Sequence, residues 1–176
     1  RRRAIRRKAS ELELVFAGDI FELHRSPIWF YGGSGVRPWR MYESGSCGPD
    51  DDSNPLRQTT RRVLEAIEHE NAEVWAAIPG FLKECRRDGL AVAVHFIPGN
   101  HDRLLNAWPD IRRKVRELLG IHPADGSPFP CRLVWPRPHS YGVLVRHGHE
   151  YDQPNFPGPV AHGQALDLPP AAYLQP

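Results

Sequence analysis

An α/β fold is predicted for this chain on three observations. Two apolar runs of strand length, residues 12–17 and 90–97, each lead into a glycine turn. Between and after them, apolar residues recur at helical spacing, and two shorter strand-like runs follow. Strands that alternate with helices point to a sheet covered by its own connections. With 176 residues, 40% of them hydrophobic and 25% charged, the chain suits one globular domain, expected over residues 1–176.

The elements follow in order. Five of the first seven residues are arginine. They read as the solvated end of a helix whose Ile5, Ala9 and Leu12 face inward, rather than as a phosphate or nucleic-acid patch. Residues 12–17 (LELVFA) read as a buried strand ending at Gly18-Asp19. Residues 30–55, rich in Gly, Ser, Asp and Pro, read as a loop long enough to be functional or mobile. The mixture of Trp29, Trp39, Arg37 and Arg40 there suits either a phosphorylated organic substrate or an exposed insertion.

Leu56, Thr60, Val63, Leu64, Ile67, Val74, Trp75 and Ile78 then define one apolar helical face. Pro79 is expected to kink or restart that helix. Phe81, Leu82 and Cys85 continue the face, and Gly89 caps its end. Residues 90–97 (LAVAVHFI) predict a second strand, closed by Pro98-Gly99. A further helix is predicted over 109–119, with Ile111, Val115, Leu118 and Leu119 on one side. Residues 132–135 and 142–145 read as short strands, and 154–176 carry no predicted element.

Composition narrows the function classes. The net charge of +2 argues neither for nor against an anionic partner, so nucleic acid stays open as one without being indicated. No apolar run approaches the ~18 residues of a membrane span. No apolar stretch follows the N-terminal arginines, so no signal peptide is predicted. The three cysteines, Cys47, Cys85 and Cys131, are odd in number and widely spaced, which suggests a reducing, cytoplasmic setting.

Strand ends carry the chemistry. Ala17-Gly18-Asp19 and Pro98-Gly99-Asn100-His101-Asp102 follow the two long runs, and the run from Gly142 leads into Arg146-His147-Gly148-His149-Glu150-Tyr151-Asp152. In α/β sheets, ligands gather beyond the carboxyl ends of strands. Glycine at such turns lets backbone approach a bound ion or phosphate closely. Asp, Asn and His together suit Mn, Fe or Zn rather than a thiolate metal.

The stretches FAGDIFEL, IPGNHDR and RHGHEYDQPN, in that order, resemble the calcineurin-like metallophosphoesterases, and most closely their bacterial members. The resemblance runs from about Glu11 to Asn155. It implies a four-layer α/β/β/α sandwich with two mixed sheets inside, and two divalent metal ions. It implies metal-dependent hydrolysis of a phosphomonoester or phosphodiester by a water that the two ions activate. By the same resemblance Asp19 bridges both ions, Asn100 and His147 hold the second, His101 faces the substrate oxygens, and Asp102 steadies His101. A nuclease, a cyclic-nucleotide phosphodiesterase or a non-catalytic scaffold of that fold are the alternatives.

Two motifs of that superfamily are absent, an Asp-x-His before Asp19 and a Gly-His-x-His after His147. The chain opens on arginine, and its sole methionine is Met41. Both motifs are therefore expected in a longer parent protein, and these 176 residues alone are expected to show little or no phosphatase activity. His149, two residues from His147, is expected on the same side of an extended segment. Contact with metal or substrate and a hydrogen-bonding role are both open to it. His95 is expected to be a satisfied core histidine, and His24, His69, His122, His139 and His162 have no ligand-like company.

Overall fold

Strand β1 (Glu11–Gly18) pairs in parallel with β2 (Ala91–Pro98), in a register that sets Leu12, Leu14 and Phe16 against Val92, Val94 and Phe96. The period of two puts these six on one face. Phe96 is buried there, and Phe16 and Val94 pack against the core. The computed structural model describes residues 9–31, 35–38, 52–135 and 142–152. Within them the fold is mixed α/β with two small two-stranded sheets, β1–β2 and β3–β4.

The opposite face of β1–β2 is more open than expected. β1 mixes exposed and half-buried positions and is buried only at Gly18, where a buried strand was expected. Glu11, Glu13, Ala91 and Ala93, which point to that face, are exposed. His95 is accordingly part-exposed rather than a core residue. Its Nε2 pairs with the Glu13 carboxylate, and its ring stands edge-on to Trp135. The residues before Ala9, where the arginine helix was expected, lie outside the described ones, and Leu12 belongs to β1.

Helix α1 (Ile28–Tyr31) is a single turn that buries Trp29, whose Nε1 donates to the Leu23 carbonyl at 2.7 Å. Helix α2 (Pro55–Glu70) starts at Asn54, whose side-chain oxygen accepts from the Leu56 and Arg57 amides at 3.0 and 3.2 Å. Asn is a favoured N-cap and Pro a favoured first residue, so this start obeys local rules. Helix α3 (Ala72–Arg87) follows at once.

The break between α2 and α3 falls at Asn71, not at Pro79 as the sequence suggested. The Asn71 amide and its Nδ2 both donate to the Ile67 carbonyl, which ends α2. Its own carbonyl accepts from Val74 and Trp75, which starts α3. Pro79 sits exposed inside α3, costing one hydrogen bond on a face that water reaches. Gly89 closes α3 as expected: its amide bonds Arg86, and the Leu90 amide bonds Cys85.

Helix α4 (Pro109–Leu119) has the predicted bounds and buries the predicted face. Strands β3 (Arg132–Trp135) and β4 (Val143–Arg146) are antiparallel, with β4 one residue later than expected. The core joins the helices to β2 through aromatic rings. Phe21 stacks on Trp75 at 5.0 Å, and Phe96 meets Phe21 and Phe129 edge-on. Phe21 lies just beyond β1, so the core anchors the turn that carries Asp19. Among the described residues, no helix is long and apolar enough to cross a membrane.

Candidate functional site

The register pairs Gly18 with Pro98, so the turns leaving β1 and β2 emerge side by side. Asp19 is on one turn and Asn100-His101 on the other. The His101 amide donates to Asp19 Oδ1 at 2.9 Å. This approach depends on Gly99, because a methyl group there would lie 2.7 Å from Asp19 Cγ. His147 enters from the end of β4, with Nε2 3.7 Å from Asp19 Oδ2. It packs over Gly18, whose φ of +104° and lack of Cβ leave room for the ring. Asn100 shares the β2 turn, half-buried, and its carbonyl accepts from Arg103 Nη1 at 3.3 Å.

His101 and Asp102 divide their roles differently from the expected arrangement. His101 Nδ1 lies 2.9 Å from Glu22 Oε2 and 3.8 Å from Asp19 Oδ2. The carboxylate that steadies the ring is therefore Glu22. Asp102, fully buried, turns the other way and accepts from the Phe21 amide at 2.8 Å and the Leu23 amide at 3.3 Å. These two amides flank Glu22, which stands in left-handed backbone at φ 52°, ψ 42°. That conformation costs a non-glycine residue roughly 1–2 kcal/mol. It persists because the buried carboxylate holds both neighbours. Burial pushes the Asp102 carboxyl up to about 7 against the pull of its two amide bonds, and the charges of Asp19 and Glu22 add to the rise.

No sequence signal pointed to His24. Its ring stacks on His101 at 5.1 Å and 27°, and its buried Nε2 has no hydrogen-bond partner among the described residues. Burial first, then the charges of Arg103 and His101, lowers its pKa to about 3 and keeps it neutral. Arg103 is itself 7% exposed and ties Asn100 to Pro38, donating to the Pro38 carbonyl at 2.7 Å. Burial draws its pKa down to about 10.

Two further expectations change. The segment after Arg146 is a turn rather than an extended strand, with Gly148 left-handed and residues His149–Tyr151 in a short 3-10 turn. The rings of His147 and His149 still meet, Nδ1 to Nδ1 at 2.9 Å. Of the mixture of aromatic and basic residues, the described Trp29 and Arg37 make their hydrogen bonds and ring contact away from Asp19 and His101. Trp29 is a core residue, and Arg37 lies over Phe30 and donates to the Trp29 and Val36 carbonyls. Trp39 and Arg40 lie outside the described residues.

The donor set fits a divalent cation. Among the described residues, one ligand atom each from Asp19, Glu22 and His101 lies within 4.8 Å of the others, and His147 adjoins Asp19. Carboxylate with imidazole suits Mn, Fe or Zn. No family model, curated protein or solved structure matches this chain.

Proposed function

We propose that this chain carries the metal-binding and acid–base machinery of a calcineurin-like phosphoesterase, built on that superfamily's four-layer sandwich. Its substrate is a phosphate monoester or diester. One observation carries the reading. The Asp19 carboxylate sits where three strand ends meet, one oxygen held by the His101 amide and the other facing His147 Nε2. A carboxylate so placed would hold divalent metal together with Asn100 and His147.

Bound divalent ions of this kind supply Lewis-acid activation of phosphate oxygens and of water. The chain's own residues supply the rest. Glu22 anchors His101 through Nδ1, and Nε2 has no hydrogen-bond partner among the described residues. That nitrogen hands a proton to the departing oxygen. His24 backs the ring, and Asp102 fixes the backbone from which Glu22 reaches it.

The test is hydrolysis of p-nitrophenyl phosphate and bis(p-nitrophenyl) phosphate, with Mn²⁺ or Zn²⁺ and with a chelator, in wild-type and Asp19→Asn protein. Metal-dependent turnover that Asp19→Asn abolishes supports the reading. Turnover indifferent to both metal and Asp19 overturns it.

A further inference from the structure

Resting on the reading of His147 as a metal ligand, we infer that His149 is a positioning residue that fixes the tautomer of His147. The two Nδ1 atoms lie 2.9 Å apart, with the rings 5.1 Å centre to centre and tilted by 44°. Two bare nitrogens, or two N–H groups, repel at that separation, so one ring carries its hydrogen on Nδ1 and the other does not. The surroundings of His147 decide which. Its Nε2 is 3.7 Å from Asp19 Oδ2, too far for a hydrogen bond, and Gly18 is packed against that edge of the ring.

A hydrogen on Nε2 would have no acceptor there among the described residues. On Nδ1 it has His149. The favoured form of His147 is thus Nδ1–H with a bare Nε2 beside Asp19, the form a metal ion requires. Metal-bound histidines commonly gain orientation and basicity from a partner on the other nitrogen, and losing that partner weakens binding. Gly148 makes the pairing possible. At φ +96° it folds the backbone between the two histidines so that both rings turn to one side. This geometry explains the His-Gly-His order, which the hydrolytic reading leaves without a purpose.

The experiment uses the ¹⁵N-labelled 176-residue chain. Long-range ¹H–¹⁵N correlation spectra of the metal-free protein report the His147 tautomer. Competition with a chromophoric chelator reports Zn²⁺ affinity. His149→Asn keeps an oxygen acceptor near the position of the lost Nδ1, whereas His149→Phe keeps a ring and removes the acceptor. The expected result is an Nδ1–H His147 in wild type and His149→Asn, its loss in His149→Phe, and Zn²⁺ binding about 10–100-fold weaker in His149→Phe alone.

A His149→Phe protein with the wild-type tautomer and affinity overturns the inference and leaves the metal reading standing. A His147→Ala protein that binds Zn²⁺ like wild type overturns both. If His149→Phe fails to fold by circular dichroism, His149→Asn decides. An Nε2–H His147 in that folded variant with unchanged affinity refutes the role, and a retained Nδ1–H with retained affinity supports it.

Discussion

Asp102 and Glu22 form one structural unit, although neither side chain bonds the other. Phe21 and Leu23, on either side of Glu22, give their amide hydrogens to the two oxygens of Asp102 at 2.8 and 3.3 Å. The left-handed turn between them aims Glu22 at His101 Nδ1. The acid that the resemblance pairs with its neighbouring histidine thus acts on that ring through the turn that follows β1.

Removing that acid should therefore cost stability before chemistry. Asp102→Ala leaves two buried amides without acceptors, at roughly 1–3 kcal/mol each. Asp102→Asn keeps one acceptor and should lose less. Glu22→Gly should recover about 1 kcal/mol of backbone strain while freeing the His101 ring. Urea midpoints measured at one pH decide it, and an Asp102→Ala midpoint equal to wild type would refute the clamp.

The pH dependence of stability should hide two opposing slopes. Asp102 has a folded pKa of about 7 against 3.8 ordinarily, so its contribution is complete below about 4 and is lost as pH rises through 7. His24 has a folded pKa of about 3 against 6.5, so its contribution is complete above 6.5 and is lost as pH falls toward 3. Between about 4 and 6.5 the two run against each other. In metal-free protein, His24→Phe should unmask stability that falls with rising pH, and Asp102→Asn stability that rises. Denaturation midpoints at half-unit steps are the measurement, and slopes unchanged in both variants would reject the assignments.

Metal binding should depend on a glycine that touches no metal. Gly99→Ala would push its methyl group into Asp19, within 2.7 Å of Cγ. It should lower metal content after dialysis about as severely as Asp19→Asn, whereas Asn100→Ala or His147→Ala should mainly weaken one site. Elemental analysis of the four variants tests this. Full occupancy in Gly99→Ala would show that Asp19 is not the shared ligand.

On the proposed hydrolytic reading, His101→Gln should leave metal binding intact and lower kcat by roughly 10²–10⁴ on alkyl phosphates, the usual worth of a positioned acid. The loss should shrink for nitrophenyl esters, whose leaving groups need little protonation. Equal losses on both substrate classes would point to a binding role instead.

Much of this was written locally. The glycine turns after residues 17 and 98, the bounds of α4 and the cap at Gly89 each follow from a few adjacent residues. Asn71 was harder to see, because an apolar period of 3.6 continues across it and Pro79 is the louder signal. Glu22 and His24 were invisible for another reason. Their roles come from a left-handed backbone at a residue type that seldom adopts it, and from partners on the β2 turn. Asp102 misled because its nearest neighbour in sequence is a histidine, while its hydrogen-bond partners are amides of the β1 turn.

The parallel pairing of β1 with β2 also sets when the site can exist. α1, α2 and α3 all lie between these strands, so a long crossover must close before Asp19 meets His101. Such distant pairings form late and slowly compared with local helices. The β3–β4 pair can present His147 and His149 on its own, but Asp19 and His101 meet only once that crossover has closed. The His101 amide, bound to Asp19 Oδ1, reports that closure directly. Its hydrogen should exchange faster when Asp19→Ala removes the acceptor, while the amides inside β2 keep their protection.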